Sequence, residues 1–187
     1  LHDHCGATPE IYTSYEEMIK SAKYDAIFIT SDPDVQVDYA VNEMNRGIHV
    51  MTEVPAAYTI KQCYDLVNAV RKNGVKYQLA EQTRYWNFIK IWREMAAQNQ
   101  FGKIYYAEGE YLHAGDPGKF QPYEEGSDHW RRHNPAITYL THELGPILSI
   151  LDDRCVSVTC MEPSVVYNPY KTPQGIENGI ALFRTAK

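Results

Sequence analysis

Residues 25–57 read DAIFITSDPDVQVDYAVNEMNRGIHVMTEVPAA, and this stretch decides the fold. Asp25-Ala26-Ile27-Phe28-Ile29-Thr30 is an unbroken apolar run, as a strand buried on both faces requires. From Asp34 to Arg46, Val37, Ala40, Val41 and Met44 recur at helical spacing, and Gly47 stands where a helix stops. Ile48-His49-Val50-Met51 is a second short strand. A strand, a helix and a strand in this order and at this length form a right-handed βαβ unit with parallel strands.

The rhythm extends in both directions. Upstream, Ser14 to Ala22 reads as a short helix, with Ser14 as N-cap and Glu17 placed for a capping box. Downstream, Thr59 to Lys72 reads as a helix capped by Thr59 and stopped by Asn73-Gly74. Its predicted core face is Ile60, Cys63, Leu66, Val67 and Val70. Val75 to Ala80 is a third strand. The expectation is three neighbouring parallel strands over 25–30, 48–51 and 75–80 with helices between them.

After Gln82 the pattern changes. Trp86 to Gln98 reads as a helix, and Lys103 to His113 alternates as a long strand of an open sheet. Residues 114 to 136 are irregular, and loops of that length carry function or lack order. Ile137 to Asp152 reads as a helix, and Cys155 to Met161 and Ile176 to Phe183 as strands. A boundary near residue 84 divides the chain into a parallel-sheet part, 1–84, and a second, α+β part, 85–187.

The net charge is −6 and no basic run occurs, which argues against a nucleic-acid partner. No apolar stretch approaches the roughly 20 residues that span a membrane, and Leu1-His2-Asp3-His4 does not open a signal peptide. Cys5, Cys63, Cys155 and Cys160 form no CxxC pair, which points to reduced, buried thiols and a cytoplasmic setting. His2, His4 and Cys5 lack a fourth ligand nearby, so no metal is expected. The first residue is not Met and Ala181 to Lys187 reads as part of a strand, so the chain is expected to be a piece of a longer protein.

Ligands of open parallel sheets bind at the carboxyl ends of the strands. Here those ends hold Thr30, Asp32 and Pro33, then Glu53 and Pro55, then Gln82, with Tyr85 just beyond. In the later helix, Ile137, Leu140, Leu144, Ile147, Leu148 and Leu151 form the predicted buried stripe. Tyr139 and His142, spaced i, i+3, share the opposite face and so point to solvent or a cleft. Pro146 cannot donate to the His142 carbonyl, so a kink is expected there.

Gly47-Ile48-His49-Val50-Met51-Thr52-Glu53-Val54-Pro55-Ala56 resembles the signature of the glucose-fructose oxidoreductase/inositol dehydrogenase (Gfo/Idh/MocA) family, in which a strand ends in Glu-Lys-Pro beside the nicotinamide. Asp25 to Pro33, the Thr59 helix and Phe101-Gly102-Lys103-Ile104 are similar in order and spacing. The resemblance implies a Rossmann domain, binding NAD or NADP, followed by an open, mostly antiparallel sheet that packs against itself in homo-oligomers. The family's GxGxxG fingerprint is not in these residues; in the family it lies upstream of the position of Leu1. Val54 stands where the family's catalytic Lys is usual. Tyr139-Leu140-Thr141-His142-Glu143-Leu144-Gly145-Pro146 is similar to a segment of the NAD-dependent redox glycosidases, which also resemble this chain in having Val at the Lys position.

By this resemblance His142 and Tyr139 are the catalytic candidates. Thr30, Asp32, Pro33, Glu53, Pro55 and Gln82 are the cofactor candidates. Trp130, Arg131 and Tyr85 are candidates for contact with a sugar or glycoside. The leading reading is an NAD(P)-dependent oxidoreductase acting on a sugar or polyol hydroxyl. The alternatives are a redox glycosidase working by oxidation and elimination, and a non-catalytic sugar or nucleotide sensor.

Overall fold

The computed structural model describes residues 6, 8–112, 136–161 and 179–187. Its first sheet is β1 (Ala26–Ile29), β2 (His49–Thr52) and β3 (Tyr77–Leu79). The strands lie in that order and both pairings are parallel, as the sequence predicts. Phe28 pairs with Met51, and Val50 with Tyr77, so alternate residues of the three strands face opposite sides.

Helix α1 (Tyr15–Ser21) precedes β1, α2 (Pro33–Asn45) joins β1 to β2, and α3 (Ile60–Asn73) joins β2 to β3. Helices α2 and α3 pack on one face of the sheet. There Ile29, Val50 and Val75 meet Val37, Ala40 and Met44 of α2 and Leu66 and Ala69 of α3. The opposite face is open among the described residues: Phe28 is 54% exposed. The expectation that 25–30 is buried on both faces is therefore corrected. An apolar run reports what a strand can bury, and only one face has described helices against it.

Helix α1 is fastened to α2 by a polar group. Glu43, fully buried, accepts hydrogen bonds from the Tyr15 hydroxyl and from Arg46 Nη1, the latter at 2.9 Å. Arg46 Nη2 also donates to the Ile19 carbonyl. Burial and the Glu43 carboxylate push the Tyr15 phenol up to about 12.

Helix α3 rotates its buried side away from the predicted stripe. Leu66 and Ala69 are its buried residues, while Ile60 and Val67 are 77% and 43% exposed. Cys63 is exposed as well, and so is Cys160, which corrects the expectation of buried thiols. Ala69, too small to stand out in a hydrophobic pattern, lets α3 approach its neighbours closely.

Beyond β3 a 3-10 turn, Gln82–Tyr85, leads into α4 (Asn87–Ala97). The predicted strand from Lys103 is not formed: residues 104–112 have no regular secondary structure. A strand needs a ladder partner, and none faces this segment among the described residues. Residue 113 and residues 114–135 of the predicted loop, including Trp130 and Arg131, lie outside the described residues. A 3-10 turn at Ala136–Tyr139 precedes α5 (Thr141–Leu151), and β4 (Cys155–Met161) pairs antiparallel with β5 (Ile180–Thr185).

The cap of α3 gives a direct test. Thr59 Oγ1 accepts from Gln62 N–H at 3.1 Å, and Gln62 Oε1 accepts from Thr59 N–H at 3.1 Å. Thr59→Ala removes the first bond and should lower stability by about 1 kcal/mol, read from the urea midpoint. An unchanged midpoint would show that the cap contributes nothing.

Candidate functional site at the sheet edge and helix α5

Parallel order brings the ends of β1, β2 and β3 to one edge of the sheet. Thr30 and Asp32 are exposed there, as is Gln82, and Glu53 is half-buried. Pro33 opens α2 and is buried, and Pro55 is buried after a cis Val54–Pro55 peptide. The two prolines thus shape the edge from beneath. Gln36, fully buried on α2, holds the second loop in place: its Nε2 donates to the carbonyls of Glu53 at 2.8 Å and Pro55 at 3.0 Å. Sequence reading missed Gln36, because nothing in a helical pattern marks an amide that will clamp a distant loop. Ser31 Oγ, beside the exposed group, is buried without a hydrogen-bond partner.

Close to that edge, β3 runs into Glu81, which starts the 3-10 turn. Its Oε1 accepts from Thr83 N–H at 3.0 Å and lies 2.6 Å from Thr83 Oγ1. The same oxygen lies 2.9 Å from His142 Nδ1, across 61 residues of sequence. Glu81 is 5% exposed and His142 6%. A carboxylate only accepts, so this contact places the hydrogen on Nδ1 and leaves Nε2 as an acceptor.

Helix α5 presents its polar side to this turn. Its buried residues are His142, Pro146 and Ser149, while Leu140, Leu144, Ile147, Leu148 and Leu151 are only half-buried. The expectation of a buried leucine stripe is corrected, and His142 is buried rather than turned toward solvent. The reason is local: the Glu81 carboxylate, the Thr83 hydroxyl and the small Gly145 make the polar side the better partner for the 82–85 turn. A Cβ on Gly145 would fall 2.8 Å from Glu81 Cγ, so only glycine admits the carboxylate here. The helix continues through Pro146, and the His142 carbonyl that Pro146 cannot serve lies 2.8 Å from Thr83 Oγ1.

Tyr139 and His142 come together as the spacing predicts, although Tyr139 belongs to the 3-10 turn. Their rings stack at 5.7 Å and 28°. Tyr111, which sequence reading passed over, completes the group at 4.9 Å from the imidazole and 6.2 Å from the Tyr139 ring. Gly109 brings Tyr111 there: a Cβ on it would lie 2.8 Å from Glu143 Cβ, so the 104–112 segment runs tight against α5. Tyr85 is not part of this group. Its hydroxyl accepts from Gln78 Nε2, and the Arg84 guanidinium sits over its ring.

Burial raises the Tyr111 phenol above its ordinary value, and the neighbouring Tyr139, Glu143 and Glu81 add to the rise. Burial likewise raises the Glu143 carboxyl. For Glu81, burial pushes upward but the hydrogen bonds from Thr83 and His142 outweigh it, and the carboxyl is held below the ordinary carboxylate range. Among the described residues no cluster of His, Cys, Asp or Glu could hold a metal ion, and no helix is long and apolar enough to cross a membrane.

The depressed Glu81 carboxyl has a signed consequence. A group whose folded value lies below its unfolded one stabilises the fold above the unfolded value, about 4.3 for Glu, and loses that contribution as pH falls through the folded value. Glu81→Gln should therefore flatten the acid side of the stability curve below about pH 4.3. Urea midpoints from neutral pH downward measure this, and an acid slope equal to wild type would refute the pairing.

Residues 4–81 match the family model described as an oxidoreductase family with an NAD-binding Rossmann fold, GFO_IDH_MocA. A glycosyl hydrolase family 109 protein of Bacteroides fragilis is 32% identical over 153 residues, covering 77% of this chain and 36% of that protein. An α-N-acetylgalactosaminidase of the same species matches with the same identity and coverage. The chain spans about a third of the length of the curated relatives it matches. Among solved structures, a dehydrogenase of Bordetella pertussis in complex with NADH and UDP-GlcNAcA superposes with a TM-score of 0.73 at 19% identity, covering 98% of this chain and 51% of that one. The myo-inositol 2-dehydrogenase of Lactobacillus plantarum superposes at 0.71 with 16% identity, covering 94% and 51%. These structural likenesses are likenesses of fold. Through residues 4–81, the chain belongs to the Gfo/Idh/MocA oxidoreductase family, whose hallmark is an NAD-binding Rossmann fold.

Proposed function

We propose that the chain is part of an NAD(P)-dependent oxidoreductase acting on a sugar or polyol hydroxyl, with His142 as the proton acceptor. The observation that carries this reading is the buried contact between Glu81 Oε1 and His142 Nδ1. It fixes the imidazole with Nε2 free to accept, close to the sheet edge where family members hold their nicotinamide. Glu81 closes the first domain and His142 belongs to the second, with the division near residue 84.

The residues at the edge suit a nicotinamide. Thr30, Asp32 and Gln82 offer exposed polar groups, Glu53 a half-buried carboxylate, and Ser31 Oγ an unused hydrogen-bonding atom. Pro33 and Pro55 set the backbone beneath them. Bound there, the cofactor would supply the hydride acceptor. The chain's own residues do the rest. His142 Nε2 takes the hydroxyl proton, Glu81 steadies the imidazolium that results, and Tyr139 and Tyr111 flank the ring. Val54 cannot transfer a proton, so it cannot stand in for the family's usual Lys, and His142 on α5 is the base in this reading. Trp130, Arg131 and Tyr85 are assigned to the sugar as polar and aromatic contacts.

A second reading has its own support: the curated relatives at 32% identity are a glycosyl hydrolase family 109 protein and an α-N-acetylgalactosaminidase. In a redox glycosidase the same His142 would take the hydroxyl proton, the oxidised carbon would acidify its neighbour, and the aglycone would leave by elimination. Water would then add across the double bond so formed, with its oxygen on the carbon that lost the aglycone, and hydride would return from the reduced cofactor to the carbonyl carbon, so the cofactor would not be consumed.

The exposed Met161, Ile180 and Leu182 of β4 and β5 form an apolar face suited to a homo-oligomeric seam. The free thiols of Cys63, Cys155 and Cys160 suit the cytoplasm.

The experiment uses the full-length protein with free sugars or polyols plus NAD⁺ or NADP⁺, and separately with aryl glycosides. Steady NADH or NADPH production identifies the dehydrogenase, and aryl release without reduced cofactor identifies the glycosidase. His142→Ala should lose roughly 10²- to 10⁴-fold in turnover. Wild-type turnover in both His142→Ala and Tyr139→Phe would overturn the site.

A further inference from the structure

The hydrogen bonds around Glu81 are one-sided. Thr83 N–H, Thr83 Oγ1 and His142 Nδ1 all converge on Oε1, while Oε2 is buried without a hydrogen-bond partner. A carboxylate on a flexible side chain does not adopt that arrangement unless its rotation is restrained. Two features of the chain supply the restraint. Gly145 lets the Glu81 side chain lie directly against the α5 backbone, where any Cβ would collide with Cγ at 2.8 Å. The Thr83 hydroxyl lies between Glu81 Oε1 at 2.6 Å and the His142 carbonyl at 2.8 Å.

That carbonyl is available because of Pro146. In an unbroken helix the N–H four residues on would take it, and proline has none. The Thr83 hydroxyl has a single hydrogen, which is shared between the carboxylate and the otherwise orphaned carbonyl. It joins the backbone of His142 to the group that holds the His142 ring. The imidazole is then gripped twice, at its Nδ1 and through its own main chain, by a single 3-10 turn.

We propose that Thr83 is a positioning residue for His142, acting through Glu81 to hold the imidazole with its hydrogen on Nδ1 and Nε2 presented to substrate. Gly145 is its companion, keeping the seat for Glu81 clear. This rests on the proposed role of His142 as proton acceptor. The groups around His142 are Glu81 at its ring and Thr83 at its main-chain carbonyl, both from the turn after β3, Tyr111 from the 104–112 segment, Tyr139 from the preceding 3-10 turn, and Glu143 beside it on α5. Of these, Thr83 alone touches both the carboxylate and the His142 main chain.

The test compares full-length wild type, Thr83→Val, Thr83→Ser and Gly145→Ala, labelled with ¹⁵N-histidine and saturated with NAD⁺. The nitrogen shifts of His142 report which ring nitrogen carries the hydrogen, with no need for turnover. Wild type and Thr83→Ser should show the Nδ1–H form, and Thr83→Val and Gly145→Ala a mixture of the two tautomers. In kinetics, Thr83→Val should lower kcat about ten-fold with KM little changed, the scale of one hydrogen bond to a charged group, and Thr83→Ser should restore it. A wild-type tautomer signature in Thr83→Val, an Nε2–H signature in wild type, or a Thr83→Ser as impaired as Thr83→Val overturns the proposal. If Thr83→Val does not fold, Gly145→Ala decides by the same signature. If the full-length protein turns over no sugar, polyol or glycoside, the proposed function falls while the tautomer measurement still decides this inference.

Discussion

One buried contact, between the Glu81 carboxylate and the His142 imidazole, ties the end of the parallel sheet to helix α5. Neither partner tolerates that environment alone. A buried carboxylate without donors costs several kcal/mol, and a buried imidazole needs an acceptor for its N–H. The surrounding features make sense as conditions for this pair. Gly145 clears space, Thr83 gives its N–H to the carboxylate and shares its one O–H between the carboxylate and the His142 carbonyl, and Gly109 brings the 104–112 segment in so that Tyr111 covers the ring. The orientation of α5, polar side inward, follows from the same pair.

The first sheet is organised differently. Among the described residues its connecting helices α2 and α3 sit on one side, and its core is assembled from small and branched side chains whose spacing announces it. Among the described residues the buried charge beside this core is Glu43, which with Arg46 fastens α2 to α1 through Tyr15 and the Ile19 carbonyl. Polar detail concentrates at the strand ends, where the chain has stopped satisfying its own backbone within the ladder. A Rossmann sheet carries its chemistry at that edge for this reason.

The parallel order of β1, β2 and β3 was legible because strand and helix periods alternate cleanly from Ser14 to Ala80, with Ser14 and Thr59 marking helix starts. The meeting of Tyr139 and His142 was legible for a similar reason, since an i, i+3 spacing is local geometry. Glu81, Thr83 and Tyr111 were not legible. Their roles depend on partners dozens of residues away, and a lone carboxylate, hydroxyl or phenol has no pattern to declare it. The reversed face of α5 shows the limit most clearly: a hydrophobic stripe says which side prefers burial, and a specific polar partner can still claim the other side. The strand predicted from Lys103 fails on the same principle, because alternation describes a strand's faces and says nothing of whether a partner lies beside it.

Gln36 has a mechanical consequence. Both hydrogens of its amide go to carbonyls of the Glu53–Pro55 loop, and its own backbone sits in the first turn of α2. That loop is therefore carried by the helix as well as by the strand it follows. Helix α2 is in turn held at its far end by the Glu43–Arg46 group that fastens α1. A push on α1, on the outside of the domain, has a rigid lever to travel along, and the lever ends at the carbonyls beneath Glu53.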